Sequence, residues 1–462
     1  MEGRRLVSAL LAVASLLAAA TPALAQGGRE RFDVRVFARV GSPGQPEGIA
    51  IGPDGKVYVS THQNGRGDAA APSKIFVYSP DGRLERDFTV EGQALDRNHG
   101  VMGIAFDGNG VLYGVDRAPP RIFTLDPATG RQGEYVRFRD VPPCAEVGRT
   151  TDCSATQGDF PTVPDYLVFA PDGTMYVTDL EQALIWRVLK GGGPAEVWFT
   201  DSRLENLFGP NGIQFMADGR TLLFAQTASS PPVTTDNNEG ILYKLPVLPD
   251  GRPGQLEALW RSRPFDGPDG FAIARSGNVY VALAGGNAVA VVSPTGEDIA
   301  RIPPTPLQNA AFEVPFDGPA SVAFEGRRVL VTNQAFATGN PSSWAVIDVF
   351  AGETELPLHY PFIGRVPRPR LTLRLDDPRG RVARRARCAA GRVRATVGGA
   401  DLAKVARATF SLRGGRKRRD ARAPFSRVVH RPHGYPHSHK VRARVKLSDG
   451  RRASLARRFR AC

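Results

Sequence analysis

Apolar segments recur along the chain, each followed by a turn and by a second strand in which apolar and polar positions alternate. The alternation has the period of two that is typical of a half-buried β-strand. Six such phrases can be aligned: "PEGIAIGPDGKVYVS" (46–60), "VMGIAFDGNGVLYGV" (101–115), "PDYLVFAPDGTMYVT" (164–178), "PNGIQFMADGRTLLF" (210–224), "PDGFAIARSGNVYVA" (268–282) and "PASVAFEGRRVLVTN" (319–333). The turn inside each phrase, such as "PDG" 53–55, is interpreted as a hairpin turn without chemistry.

The phrases begin 46 to 63 residues apart, an interval typical of propeller blades. Further alternating segments follow them, for example "KIFVYSPDGRLERDF" and "AVAVVSPTGEDIARI". Four short strands per repeat, six times over, predict an all-β chain with a six-bladed β-propeller. We expect the strand "FDVRVFARV" (32–40) to complete the sixth blade, because an open propeller edge would be a template for pairing.

The last hundred residues also alternate, as in "RVRATV" and "KVRARVKLSDGRRASLARRF", and they predict a small antiparallel β-domain. Prolines in "PFIGRVPRPR" mark the boundary between the two parts. The predicted organisation is a signal peptide (1–25), a six-bladed propeller (26–362), a linker (363–369) and a basic β-sandwich (370–462).

The first 25 residues have the order of a secretory signal. Arg4 and Arg5 precede an apolar run from residue 6 to residue 20, and Ala23-Leu24-Ala25 follows. The stretch is short for a membrane helix, and no later segment is long and apolar enough to be one. We therefore expect a secreted or cell-envelope protein without a transmembrane segment after signal cleavage.

Four cysteines agree with an exported protein. Cys144 and Cys153 bracket a polar loop, and Cys388 and Cys462 bracket most of the C-terminal segment. Neither pair has the C-x-x-C spacing of zinc or redox sites, so pairing within each bracket is the simplest of the three connectivities.

Charge is divided unevenly between the two parts. Residues 26–362 contain 28 Lys and Arg against 40 Asp and Glu, a net charge of −12, whereas residues 363–462 contain 30 against 5, a net charge of +25. The basic part could bind an anionic cell-surface polymer, a lipid surface, nucleic acid or the acidic propeller itself. Its few aromatic residues make nucleic acid the less suitable partner. Alternatively, arginine only solvates exposed strand faces.

One position of the six phrases concentrates oxygen donors. The second residue of each phrase enters the innermost strand, where the blades converge, and the ring there reads Glu47, Met102, Asp165, Asn211, Asp269 and Ala320. Carboxylate and amide oxygens converging on one axis are the ligands of a hard divalent cation. The alternative is that Pro-Asn-Gly and Pro-Asp-Gly are only turn formers, which does not explain Glu47.

These motifs carry a resemblance to known proteins. Residues 30–362 resemble the senescence-marker-protein/gluconolactonase (LRE-like) propellers, and more distantly the paraoxonases and strictosidine-synthase-like propellers. The resemblance implies one divalent cation, calcium by expectation with zinc or magnesium as alternatives, on Glu47, Asp165, Asn211 and Asp269, with Asp269 also the catalytic base. Asp165 replaces an asparagine of the family, and Val163 stands where its sugar-lactone hydrolases have an arginine. The C-terminal segment resembles bacterial immunoglobulin-like domains.

The predicted function is hydrolysis of a lactone or small ester, with the cation as Lewis acid and Asp269 accepting a proton from water. His62 and Arg117, in loops expected on the same face, are the candidate contacts for a small-molecule substrate, although either could be an ordinary loop residue. The rival hypothesis is a non-catalytic propeller that binds a ligand or cell-wall component around a structural cation. No G-x-S-x-G, Walker-type or H-E-x-x-H motif is present, so other hydrolase and nucleotide-binding classes lack support.

Overall fold

The computed structural model describes residues 29–63, 71–148, 152–229, 238–364, 368–376, 392–412, 417–430, 438–448 and 451–460. The predicted all-β class is confirmed, because 31 strands account for nearly all the regular structure of these residues. The helices are short: α1 (Cys144–Val147), α2 (Pro306–Ala310) and three 3₁₀ turns (Ser202–Leu204, Pro341–Ser343 and Leu402–Lys404). The predicted signal peptide lies outside the described residues.

The strands before residue 350 form six four-stranded sets. In chain order they are β1 (Val34–Arg39), β2 (Pro46–Ile51), β3 (Val57–Gln63), β4 (Lys74–Tyr78), β5 (Leu84–Thr89), β6 (His99–Phe106), β7 (Leu112–Arg117), β8 (Pro120–Leu125), β9 (Gln132–Arg137), β10 (Pro164–Phe169), β11 (Met175–Asp179), β12 (Leu184–Val188), β13 (Glu196–Thr200), β14 (Pro210–Phe215), β15 (Thr221–Gln226), β16 (Glu239–Pro246), β17 (Glu257–Pro264), β18 (Pro268–Ile273), β19 (Val279–Leu283), β20 (Ala288–Val292), β21 (Asp298–Ile302), β22 (Pro319–Glu325), β23 (Arg328–Asn333) and β24 (Ala345–Val349).

The sets follow the sequence repeats, and their innermost strands close a ring. Five sets take consecutive strands in order, from β2–β5 to β18–β21, and the sixth has the order β22-β23-β24-β1. A short pairing of β3 with β6 joins the first two sets into one eight-stranded sheet. The innermost strands β2, β6, β10, β14, β18 and β22 each contact the next, and β22 contacts β2. This arrangement is a propeller-like fold.

The N-terminal strand supplies the outer edge of the sixth set, as predicted. β1 runs antiparallel to β24, from Val34 opposite Val349 to Arg39 opposite Ala345. Arg29 reinforces this junction, since its Nη1 donates to both carboxylate oxygens of Asp348 at 2.7 Å. The two ends of the repeat region are thereby held in one sheet.

The core lies between neighbouring sets. Each main cluster of buried side chains draws on two adjacent sets, as in the group that joins Ile122 and Val136 to Phe169 and Trp186. Trp186 is fully buried, and its Nε1 donates to Asp179 Oδ2 at 3.0 Å. Packing between sheets is therefore what fixes the angle of each set around the axis.

The segment after β24 crosses one face of the ring, and we call residues 352–364 the strap. Its backbone pairs with the hairpin turns of three sets: Gly352 N donates to Arg327 O at 2.9 Å, Thr354 O accepts from Arg275 N at 2.7 Å, and Pro361 O accepts from Gly108 N at 2.8 Å. Those turns follow the innermost strands, so the strap lies at the opposite end of the ring from Glu47 and Asp269.

The C-terminal part forms two sheets around a core of its own. Its strands are β25 (Thr372–Asp376), β26 (Arg392–Gly398), β27 (Val405–Leu412), β28 (Arg418–Asp420), β29 (Ser426–His430), β30 (Ser438–Leu447) and β31 (Arg452–Arg460). The sheet orders are β25-β26-β29 and β28-β27-β30-β31, with Phe410, Val441 and Leu447 buried between them. The immunoglobulin-like resemblance and the domain limits stay predictions.

The predicted bond between Cys144 and Cys153 is present, with an S–S distance of 2.00 Å. Cys388 and Cys462 lie outside the described residues, so their pairing stays a prediction. Within the described ranges, the helices are all too short to cross a membrane.

Candidate functional site

The six ring positions lie inside strands rather than in turns. Glu47, Asp165, Asn211 and Asp269 are each the second residue of an innermost strand. The pairing of every innermost strand shifts register at this point, for example between Pro210 and Ile213. Such a bulge bends the strand and changes the direction of the side chain at that position. The turn-former interpretation is therefore wrong for these residues.

The glycines of the phrases have a packing reason. A Cβ added to Gly48 would lie 2.2 Å from Met102 O, one added to Gly212 would lie 2.7 Å from Asp269 O, and one added to Gly270 would lie 2.9 Å from Ala320 O. None of these three glycines has a positive φ. They allow neighbouring innermost strands to approach closely, which brings the ring positions together.

Three carboxyl groups share a buried environment at this end of the ring. Glu47 is 2% exposed, Asp165 0% and Asp269 9%. Burial, together with the nearby charges of Asp269 and Asp165, raises the pKa of Glu47 well above its ordinary value. The pKa of Asp165 is raised by burial and by Asp269, and the pKa of Asp269 is raised by burial. The cluster thus favours either protons or a cation.

Several oxygens of this cluster are buried without a hydrogen-bond partner: Asp165 Oδ1 and Oδ2, Asn211 Oδ1 and Asp269 Oδ1. Unpaired buried carboxylate oxygens are strongly unfavourable, and a hard cation is the partner that would satisfy them. Among the described residues, however, no three carboxylate, histidine or cysteine side chains are arranged as a ready metal-ligand group. Side chains that bind a cation can rotate towards it, so the lack of a ready ligand group counts for little. The unpaired oxygens count for more, because a buried charge needs a partner.

Asn211, on the fourth innermost strand, is the last of the four predicted ligand residues. It is 6% exposed, and its Nδ2 donates to Thr227 Oγ1 at 3.1 Å, which leaves Oδ1 available. Asn211 also lies close enough to Asp269 to oppose the rise in the pKa of that carboxyl group. The structure therefore brings the four predicted ligand residues into one neighbourhood.

Tyr166 is a site residue that the sequence reasoning missed. It follows Asp165 where four other phrases have glycine, and its hydroxyl is hydrogen-bonded to Ser321 Oγ of the sixth set. Burial and the charges of Asp269, Glu47 and Asp165 raise the pKa of Tyr166. The side chain therefore spans the ring next to the carboxylates. The break in the Pro-X-Gly pattern at "PDY" was the available signal.

Gln334 is a second missed residue, and it connects Glu47 with His62. Its Nε2 donates to Glu47 Oε2 and lies 3.4 Å from His62 Nδ1. His62 lies in strand β3 rather than in a loop, and it is only 2% exposed. Burial and the charge of Arg117 lower its pKa to about 3. His62 is therefore neutral at physiological pH, and its Nε2 is buried without a partner.

Arg117 is a cation whose charge acts on the cluster. It is the last residue of β7, again not in a loop, and its Nη2 lies 3.6 Å from Glu181 Oε1. Its charge lowers the pKa values of Glu47 and Asp165, although burial outweighs this effect. Val163 is buried, with its backbone amide donating to Asp179 Oδ1 at 3.1 Å, so an apolar side chain stands at this position beside the site.

Two family models match parts of the chain. Residues 167–332 match the SMP-30/gluconolactonase/LRE-like region, and residues 37–66 match the strictosidine synthase-like N-terminal region. The first range contains Asn211 and Asp269, the second contains Glu47 and His62, and Asp165 lies two residues before the first range. The matches cover less than half of the chain. None of the curated proteins matches it.

Solved structures with a similar fold include three bacterial proteins. The calcium-binding protein regucalcin of Agrobacterium tumefaciens is 20% identical, with a TM-score of 0.49 over 72% of this chain and 98% of that one. A gluconolactonase of Xanthomonas campestris is 18% identical (TM-score 0.45; 70% and 88% covered), and virginiamycin B lyase of Staphylococcus aureus is 14% identical (0.44; 69% and 99%). Their activities differ, and at these identities none transfers to this chain.

Proposed function

We propose that the chain is a divalent-cation-dependent hydrolase of a lactone or small ester. The observation that carries the proposal is the group of buried, unpartnered oxygens of Asp165, Asn211 and Asp269 beside Glu47. The match to the gluconolactonase-containing family model over residues 167–332 supports the same reaction class.

The cation would be held by Glu47, Asp165, Asn211 and Asp269. Calcium is the expected ion because all the ligands are oxygens, with zinc or magnesium as alternatives. A bound cation polarises a carbonyl group and lowers the pKa of water next to it. With Asp165 in place of the family's asparagine, the site has three carboxylates. We therefore expect tighter cation binding and weaker electrophilic activation.

Asp269 would act as the general base. Its carboxyl group is buried, and burial raises its pKa to about 8, so the positive charge of the cation would be needed to hold it ionised as the acceptor of a proton from water. Asn211 and the neighbouring backbone amide of Gly270 oppose the rise in its pKa, which keeps more of the group ionised. General-base assistance of this kind contributes about 10²–10⁴-fold to a rate.

His62 and Arg117 would contact the substrate. Neutral His62 has a buried Nε2 that can accept or donate a hydrogen bond, depending on its tautomer. Arg117 places a positive charge next to the carboxylate cluster, where it could bind a carbonyl or carboxylate oxygen. The apolar Val163 makes gluconolactone-type recognition of sugar hydroxyls unexpected, so we favour less polar lactones or esters.

The rival function is a non-catalytic propeller whose cation only stabilises the channel. The observation in its favour is Val163, because an apolar side chain stands where sugar-lactone hydrolases of the family have an arginine. In this alternative the ligand would be a small molecule or a cell-wall component.

The two functions separate in a turnover assay of the mature chain on aliphatic lactones and aryl esters, with calcium or zinc added after chelation. We expect metal-dependent turnover in the wild type and a loss of about 10²-fold or more in kcat/KM for Asp269→Ala. Asp96→Ala is the matched control, since Asp96 is exposed and its side chain bonds to the adjacent Arg97. If no variant turns over substrate while chelation still lowers the melting temperature, the binding-protein alternative is correct.

We further propose a secreted or cell-envelope location, supported by the signal-like N-terminus and the Cys144–Cys153 bond. An anionic cell-surface polymer is the proposed partner of the C-terminal part, supported by its net charge of +25 over residues 363–462.

A further inference from the structure

The positive charge of the C-terminal part is concentrated on one sheet face. In strand β30 the buried residues His439, Val441, Ala443, Val445 and Leu447 alternate with four outward residues, all basic: Lys440, Arg442, Arg444 and Lys446. Flanking strands add Arg407 and Arg419 on one side and Arg452 and Arg458 on the other. We call these eight residues the basic face. Seven of them are exposed, and Arg407 is half-buried.

Cations on the basic face oppose each other directly across the strands. Lys446 lies opposite both Arg407 and Arg452, and Lys440 lies opposite Arg458. Like charges at directly opposed positions destabilise a sheet. The salt bridges of the described C-terminal residues involve other arginines, namely Arg374, Arg427 and Arg451. The face therefore lowers the stability of its own sheet, which argues that it has a binding partner.

The spacing of the charges fits an extended linear polyanion. Alternate residues of an antiparallel strand are about 6.8 Å apart, so the four cations of β30 form a straight row about 20 Å long. A phosphodiester polymer with a three-carbon repeat has six backbone bonds per phosphate, the same number as two amino-acid residues. Its phosphates can therefore lie about 7 Å apart when the chain is extended.

The chemistry of the other outward positions excludes base stacking and lipid insertion. Between the cations the face carries Thr409, Ser411, Ser454 and Ala456, without an aromatic ring on which a nucleic-acid base could stack. The described C-terminal residues also include no exposed large apolar side chain that could enter a bilayer. Small and hydroxyl side chains leave room for a phosphate backbone and can donate hydrogen bonds to it.

We propose that the basic face binds a base-free linear phosphodiester polymer. This inference extends the proposed polymer partner to a defined surface, and it does not depend on the hydrolase function, since the face lies on separate sheets from the carboxylate cluster. The polymer would run along β30, with its phosphates paired to Lys440, Arg442, Arg444 and Lys446 and to the flanking arginines. Binding would release counterions and so weaken with salt.

The test measures binding of the full mature chain to poly(glycerol phosphate) at several salt concentrations between about 50 and 200 mM. The variant R442S/R444S removes two cations from the basic face. The matched control R392S/R394S removes the same charge from exposed positions of β26 in the other sheet. We expect the first variant to reduce the slope of log K against log salt by about 1.4, as for two lost phosphate contacts on a single strand, and the control to change it little.

Equal losses in the two variants would overturn the proposal, because they would show attraction to net charge alone. Tighter binding to single-stranded DNA of equal phosphate number would instead assign the face to nucleic acid. Tighter binding to vesicles of phosphatidylglycerol and phosphatidylcholine would assign it to a membrane surface.

A separate measurement distinguishes function from folding. Lys446→Thr relieves two opposed cation pairs, so we expect it to raise the melting temperature while weakening binding to poly(glycerol phosphate). A lower melting temperature together with weaker binding would mean that Lys446 supports the sheet rather than the ligand, and would count against the proposal. Lactone turnover should be unchanged in every variant of the basic face.

Discussion

At the scale of single residues, the geometry of the candidate site depends on glycines, whose side chain is a single hydrogen atom. Gly48, Gly212 and Gly270 follow the ligand positions, and each lies against the backbone of the next innermost strand. A larger residue would separate two neighbouring sets and thereby move the ligand positions apart. The bulge and the glycine together explain why the same Pro-X-Gly pattern recurs while the middle residue varies.

Gly212→Ala tests this explanation. The new Cβ would lie 2.7 Å from Asp269 O and 2.8 Å from Gly270 Cα, so we expect a loss of about 1–3 kcal/mol in the free energy of unfolding and weaker stabilisation by calcium. Denaturant unfolding with and without calcium measures both effects. Gly133→Ala is the control, because the added Cβ would meet only Thr124 Oγ1 at 3.4 Å. Equal stabilities of the two variants would contradict the explanation.

At the scale of elements, the strap contacts the turns of several sets. It forms a β-bridge between Glu355 and Ala274, and it packs Leu356 and Ile363 against the propeller core. Glu355 is half-buried there, and burial raises its pKa to about 8. The strap therefore carries a carboxyl group that folding holds in its neutral form.

The Glu355 carboxyl group should make the stability of the protein depend on pH. Because its pKa is raised on folding, the native state binds the proton more tightly than the unfolded chain does. Its stabilising contribution is thus complete at low pH and is lost as the pH rises through about 8. We expect a decline of less than about 1.4 kcal/mol per pH unit, since solvent reaches part of the side chain.

Melting temperatures of the wild type and Glu355→Gln between pH 5 and 9 measure this contribution. The variant should resemble the wild type at pH 5 and should be the more stable of the two at pH 9. Parallel pH profiles for the two proteins would show that Glu355 does not titrate in this range.

At the scale of the whole molecule, stability depends on closing the ring with strands from both ends of the repeat region. β1 lies at the edge of the sixth set, beside β24, and Arg29 pairs with Asp348. Without β1, strand β24 would have an open edge and Val346 would lose part of its cover.

A chain lacking residues 26–39 should therefore unfold at a lower temperature and associate more readily. A synthetic peptide of residues 29–40 should restore part of the lost stability by adding a strand to β24. Differential scanning calorimetry and light scattering check both effects. Unchanged melting of the shortened chain would show that closure does not require β1.

Much of this could be predicted from sequence because the relevant signals are local. Alternation in "KVYVS" and "NVYVA" identifies strands, and the repeated phrases identify equivalent positions. The sequence predicts loops at His62 and Arg117, whereas pairing with neighbouring strands extends β3 and β7 past the apolar run to include both residues. Tyr166 and Gln334 could not be assigned to the site in advance, because their contacts, with Ser321 and with Glu47, cross from one set to another.

The sequence by itself determined the strands, their number per repeat, the circular order of the sets and the division of charge, since each follows from periodicity or composition along neighbouring residues. The tertiary structure alone decided that the ring positions lie in bulges, that their carboxyl groups are buried with unpaired oxygens, and that eight cations share one face. These properties depend on distances between residues far apart in the chain, and such distances are set only when sheets pack against one another.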